Sequence, residues 1–239
     1  MLPDGILSAA DGRVCEIKSL TFEELLKQPG ITDLNEHVVR ACWSGVARFW
    51  LISVVMSLLD VHVNRAPVSG KVISTIYKSG MSFPISYDDR KGTEKNARNT
   101  IFIGNERIRI AVVQISGHLA RKIECWVTIG DLVAQGDRIG WIRLGSEVKV
   151  IFPAAEGQEI CVKEGSQVKA ELTPLVIPSV ARELVFTQST DQAGDIVAHE
   201  APRKLFVMCL NVSLHTYLHA KRALFAILRR RIRSNGSSD

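Results

Sequence analysis

No C-x-x-C pair occurs in this chain. Its five cysteines, at positions 15, 42, 125, 161 and 209, are odd in number and widely scattered. That pattern excludes a zinc knuckle and a thioredoxin-like redox site, and we expect reduced, packed thiols in a cytosolic setting. A secretory signal is also not expected, because residues 1–15 carry Asp4 and Asp11 and no basic start before an apolar run. Clean membrane spans are missing too. The apolar run "VARFWLISVVMSLLDVHV" is interrupted by Arg48 and Asp60, and residues 205–227 are interrupted by His215, His219, Lys221 and Arg222. Two catalytic signatures are absent as well. Ser146 sits in "RLGSEVK" and not in the G-x-S-x-G of a hydrolase elbow, and Thr, Tyr and Leu separate His215 from His219 where a zinc protease would need Glu. No metal is expected.

An excess of charge of one sign is confined to a single segment. The formal net charge is +5, but Lys221, Arg222, Arg229, Arg230, Arg231 and Arg233 cluster near the C-terminus with no acid among them. Without them the chain is close to neutral, so a nucleic-acid partner is not expected. A locally basic patch beside anionic lipid fits better.

What the chain does have is β pattern. At 239 residues and 46% hydrophobic content it can bury a sizeable core. Short Val- and Ile-rich runs punctuated by Gly predict a mainly β architecture. "GILSAADGRVCEIK" reads as strand, Asp-Gly turn, strand, and "TFEELLKQP" at 21–29 as a short helix capped by Thr21 and ended by Pro29. Residues 48–77 read as two apolar strands about a Pro-Val-Ser-Gly turn, 86–99 as a surface loop, and "NTIFIGNERIRIAVVQIS" as a hairpin through Gly104 and Asn105. "GHLARKIECWV" reads as either a short helix or a strand.

"VTIGDLVAQGDRIGWI" and "ICVKEGSQVKAELTPLV" echo one another, with the spacing of folded-over biotinyl or lipoyl carrier domains. No Lys stands at a hairpin tip, however, so the likeness is to the sheet and not to a swinging arm. The fold class expected is therefore mainly β, a folded-over, barrel-sandwich-like β-sandwich with short helices. A domain over 1–173 is followed by an extension, 174–239, whose residues 203–233 read as a basic helix for a membrane surface.

Ser146 is the candidate nucleophile, and a turn serine without a role is its bland alternative. Among possible bases, His62 follows a strongly apolar strand, and alternation puts Asp60, His62 and Asn64 on one strand face. His118 is a second possibility. Asp11 is either an Asp-Gly turn residue or a carboxylate that orients a histidine. Phe49, Trp50 and Leu51 read equally as an acyl-chain surface or as core.

The segments "ILSAADGRV", "VVMSLLDVHVNRAPVSGKV", "ARNTIFI", "VVQISGHLARKIECWVTIGDLVAQGDRIGWIRLGSEVKVIFP" and "VKEGSQVKA" keep their order over about residues 6–170. They closely resemble the short-type phosphatidylserine decarboxylase proenzymes and the related archaetidylserine decarboxylases. The resemblance implies self-processing between Gly145 and Ser146, with Asp11 and His62 as partners that activate Ser146. It implies a β chain of residues 1–145 and an α chain of residues 146–239, which carries a covalent pyruvoyl group made from Ser146. The reaction implied is decarboxylation of phosphatidylserine to phosphatidylethanolamine through a Schiff base, with His62 moving protons. The implied setting is peripheral, on the cytoplasmic side of the cell membrane, and a homo-oligomer is left open.

Arg65, Arg121 and Lys122 are the candidates for the substrate phosphate, against a reading as solvated surface cations. The chain departs from the family pattern at "NARN" (96–99), at "PVSG" (67–70) and in how early Asp11 comes. Two rivals predict different chemistry. A non-catalytic carrier or scaffold keeps Ser146 inert, and a serine hydrolase built on Asp11, His62 and Ser146 keeps it a serine.

Overall fold

The computed structural model describes residues 5–118, 122–142 and 145–178. The expected C-terminal helix, the basic cluster, His215, His219 and Arg121 lie outside the described residues.

The chain opens with β1 (Ile6–Leu7) and β2 (Gly12–Thr21), then α1 (Phe22–Leu26) and α2 (Glu36–Cys42). Next come β3 (Arg48–Met56), β4 (Val63–Arg65), β5 (Gly70–Lys78), β6 (Arg98–Gly104) and β7 (Arg109–Ser116). The remainder is β8 (Ile123–Cys125), β9 (Leu132–Val133), β10 (Arg138–Ile142), β11 (Ser146–Pro153), β12 (Gln158–Ile160), β13 (Gln167–Val168) and β14 (Pro174–Pro178). An eight-stranded antiparallel sheet in the order β13-β2-β3-β11-β7-β6-β5-β9 carries the fold. Two three-stranded sheets, β4-β10-β8 and β1-β14-β12, complete it. This is the mainly β, folded-over sandwich expected from the sequence.

The large sheet is buried on both faces. On one, Val14, Ile52, Val54, Val148 and Val150 pack with Ile139 and Ile142 of β10 and Val176 of β14. On the other, Phe49, Leu51, Phe102 and Ile151 pack with Leu25, Val39 and Trp43 of the helical segment. Trp43 lies 5.0 Å from the Phe49 ring and 4.9 Å from that of Phe102, and its indole N–H donates to the Arg109 carbonyl at 2.9 Å. Phe49 and Leu51 are therefore core and form no acyl surface.

Several local expectations hold. The Thr21 hydroxyl accepts from the Glu24 amide, and the Glu24 carboxylate accepts from the Thr21 amide, a capping box that starts α1. β6 and β7 form the hairpin through Gly104 and Asn105.

Other expectations need correction. β1 and β2 do not pair across Asp11–Gly12; β1 pairs with β14 instead. Residues 48–77 make three strands, because β3 stops at Met56 and β4 joins a different sheet. Asp60 thus lies in a turn and shares no strand face with His62 and Asn64. The polar segment 86–99 is no simple surface loop, since Asn96, Arg98 and Asn99 are buried and the last two begin β6. Residues 123–125 are strand. β14 continues the described fold past residue 173, pairing with both β1 and β12.

Candidate active site

β11 begins at Ser146 and runs between β3 and β7, with Ser146 opposite Met56 on one side and Ser116 on the other. Gly145 enters this strand with φ +68°, a left-handed conformation that costs any residue with a Cβ about 1–2 kcal/mol. Its carbonyl packs so closely on Gly117 that a Cβ at 117 would overlap the oxygen. Glycine is needed at both positions, at 145 for conformation and at 117 for space.

His62 reaches this junction from the turn after β3. Its Nδ1 lies 2.7 Å from the Asp60 carbonyl oxygen, which can only accept, so Nδ1 carries the proton. Nε2 then holds a free lone pair, and it accepts the Gly145 amide N–H at 3.2 Å. The ring is 8% exposed. Beside it the Ser146 hydroxyl is fully buried and has no hydrogen-bond partner among the described residues. An unmade hydrogen bond of this kind costs about 1–3 kcal/mol. A buried hydroxyl thus follows a left-handed glycine carbonyl, and an unprotonated imidazole nitrogen sits one peptide earlier, at the Gly145 amide.

A buried amide chain supports this corner. Asn99 donates to Gln114 at 2.8 Å and Gln114 donates to Asn64 at 2.8 Å, all three on the Ser146 side of the sheet. A side chain at Gly140 would press on the Gln114 amide at 2.8 Å, so β10 leaves room for the chain. The Asn64 amide in turn faces the Met56 sulfur at 3.7 Å.

The other sequence candidates separate. The Asp11 carboxylate accepts the Ala170 amide at 2.8 Å, and among the described residues no hydrogen bond joins it to His62 or Ser146. Arg65 donates to the Gly136 carbonyl at 2.7 Å and pairs with Glu171 at 2.9 Å, which ties β4 to the segment before β14. Lys122 is 64% exposed and pairs with Glu124 at 3.0 Å.

A cavity of about 650 Å³ opens beside Gly145, with Met56, Leu58, Ile85, Tyr87 and Arg13 in its wall. Its cation had not been singled out from sequence. The Arg13 guanidinium stacks on Tyr87 at 3.9 Å and donates through Nε to the Gly165 carbonyl at 3.3 Å. His118 also lines this cavity. The only sequence signal for Arg13 is a cation directly after the Asp11–Gly12 turn.

On the opposite face of β11, Glu147 is buried against Ser53, whose hydroxyl donates to it, with Arg90 at 3.4 Å and Lys149 at 3.8 Å. Cys15 lies 3.3 Å from Arg90. Burial, and then the nearby Glu147 charge, push its thiol up to about 11.

Residues 2–174 match the family pattern described as phosphatidylserine decarboxylase. The chain belongs to the phosphatidylserine decarboxylase family. It is 36% identical over 177 residues to a phosphatidylserine decarboxylase proenzyme of Syntrophus aciditrophicus, covering 72% of each chain. To a putative archaetidylserine decarboxylase proenzyme of Methanocaldococcus jannaschii it is 37% identical over 175 residues, 72% of this chain and 80% of the other. A phosphatidylserine decarboxylase proenzyme of Xanthobacter autotrophicus is 35% identical over 173 residues, 72% of this chain and 66% of that one. Membership in the phosphatidylserine decarboxylase family identifies a decarboxylase-like enzyme of the self-processing, pyruvoyl type in general. No helix among the described residues is long and apolar enough to cross a membrane.

Proposed function

We propose that this chain cleaves itself between Gly145 and Ser146 and then decarboxylates phosphatidylserine to phosphatidylethanolamine at a membrane surface. The observation that carries the reading is the His62 Nε2 lone pair at the Gly145 amide, next to a buried Ser146 hydroxyl with no partner among the described residues.

In processing, the Ser146 Oγ attacks the Gly145 carbonyl carbon and gives up its proton to His62 Nε2, which must leave the Gly145 amide to take it. The Gly145–Ser146 C–N bond breaks, the Ser146 nitrogen takes a proton, and the amide becomes an ester. Loss of the Ser146 α-proton then expels the Gly145 carboxylate and leaves dehydroalanine. Addition of water and loss of ammonia complete the conversion of Ser146 to a pyruvoyl group. Serine suits each step because its one oxygen attacks, forms the ester and leaves with Gly145. The residues present fit this group. Ser146 heads a central strand, and the cavity reaches Gly145.

Once formed, the pyruvoyl group supplies a ketone that holds the substrate amine and accepts the electrons left by departing carbon dioxide. The chain's own residues do the rest. His62 moves protons at the reacting carbon. The apolar wall of Met56, Leu58 and Ile85 excludes water, and Arg13 takes the place of Arg65 and Lys122 as the cation for the phosphodiester, because the latter two are committed to Glu171 and Glu124. Asp11 acts through its turn, holding the Ala170 backbone beside β2.

The test is intact mass under denaturing conditions, paired with carbon dioxide release from phosphatidylserine vesicles. Two fragments meeting at 145/146, the second blocked at its N-terminus by pyruvoyl, are expected. Ser146→Ala should leave one full-length mass and no activity, and His62→Gln should slow processing by about 100-fold or more. A full-length wild-type mass after long incubation would return the chain to the scaffold reading.

A further inference from the structure

Between β3 and His62 the chain turns through residues 57–61, Ser-Leu-Leu-Asp-Val. Turns favour Gly, Asn, Asp and Ser, yet Leu58, Leu59 and Val61 are 55%, 97% and 59% exposed here. The backbone beneath them is braced. The Ser57 amide donates to the Asp60 carboxylate at 2.7 Å, the Asp60 amide donates to the Ser57 carbonyl at 3.2 Å, and the Leu59 amide donates to the Ser57 hydroxyl at 3.3 Å. The apolar side chains are therefore presented outward by a closed turn. Two residues of that turn, Leu58 and Asp60, reach the site, and Leu59 and Val61 do not line it. Leu58 lines the cavity and would touch a Cβ at 145 at 3.9 Å, and the Asp60 carbonyl holds His62 Nδ1.

We infer that residues 57–61 are the element through which this protein docks on a lipid bilayer, with Leu59 and Val61 entering the boundary between head groups and acyl chains. The inference rests on the lipid substrate proposed above. A diacyl lipid keeps its chains in hydrocarbon because exposing them to water is strongly unfavourable, so its head group is available only at the surface. A cavity that receives that head group must open against the surface, and aliphatic side chains at its rim gain by burial there. Charge agrees with an anionic bilayer. The Asp60 carboxylate is turned back onto the Ser57 amide, while Arg13 adds a cation in the same cavity wall. A second copy of the chain is the competing occupant of this surface.

Leu59→Trp in the full chain, mixed with vesicles of phosphatidylcholine and phosphatidylserine, should show a blue-shifted emission absent from wild type. Leu59→Ser combined with Val61→Ser should sediment with the same vesicles at least fivefold less. It should lose a similar factor in rate on long-chain phosphatidylserine and keep its rate on a short-chain phosphatidylserine dissolved as monomers. An unshifted emission from the Leu59→Trp variant or unchanged co-sedimentation of the double variant overturns the inference. So does a double variant that changes from dimer to monomer while vesicle binding stays intact, because the surface then serves a second copy. A wild type that releases carbon dioxide from neither lipid rejects the functional reading instead, and leaves the fluorescence and sedimentation results to judge the docking surface.

Discussion

Ser146 and Glu147 are neighbours on β11, and each has a buried oxygen without a hydrogen-bond partner among the described residues. Their surroundings differ sharply. The Ser146 side lies next to a glycine carbonyl and a neutral imidazole at the strand's start, where a cavity opens with Arg13 and Val55 of the Glu147 face in its wall. The Glu147 side chain itself is closed in by Ser53, Arg90, Lys149 and Cys15. A neutral hydroxyl can stay unpaired at modest cost, which leaves it free to react. A buried carboxylate cannot, so cations gather around it and the region becomes a brace. In the proposed function, one strand separates chemistry from support by the alternation of its side chains.

The sharpest way to break that division is at Gly117. Gly117→Ala forces the Gly145 carbonyl away from its position and should abolish chain cleavage. Gly130→Ala, at φ +104° with open space around it, should cleave normally and lose only about 1–2 kcal/mol of stability. Intact mass and urea unfolding of both variants check this, and normal cleavage of the alanine variant at 117 would contradict the geometry.

A smaller effect is expected on the supporting face. Arg90→Met leaves Glu147 with Lys149 as its cation and should cost about 1–2 kcal/mol in urea unfolding, less than a fully uncompensated buried charge. Cleavage should go to completion in that variant. If it failed in a folded protein, the two faces would not be independent.

The smallest effect is in labelling. The Cys15 thiol is held near 11, so its thiolate is scarce at pH 8 and alkylation should be slow, rising as pH approaches 11. Exposed Cys125 provides the fast reference in the same sample. Equal rates for the two at pH 8 would mean that the Glu147 pocket opens readily.

These contrasts also explain what the sequence could and could not disclose. The glycine-punctuated β pattern and the capping box at Thr21 are local, and both appear where expected. The junction of His62 with Gly145 was legible because linked segments resemble a family. On β11 the charged Glu147 and Lys149 are buried, which no local pattern in the sequence signals. Alternation failed at Asp60, because β3 ends four residues earlier and alternation has no meaning across a turn. Arg65 looked available for a phosphate because its partner Glu171 lies 106 residues away. Arg13 was overlooked for the same reason, since Tyr87 and Gly165 reach it from distant segments. Likewise the chain Asn99–Gln114–Asn64 joins three strands that no local pattern connects.

The ladder that holds β11 between β3 and β7 has one more consequence. The proposed cleavage at 145 would cut the covalent link but leave both rows of hydrogen bonds in place, so the two pieces would stay assembled through a shared sheet. Before the cut, folding is unimolecular. After it, recovery from denaturation needs two separate polypeptides to find each other, and its rate depends on concentration. A protein that matures this way folds under one set of rules and survives under another. If this chain matures as proposed, its lasting durability lies in the barrier to unfolding, because the intact precursor that could fold unaided is consumed.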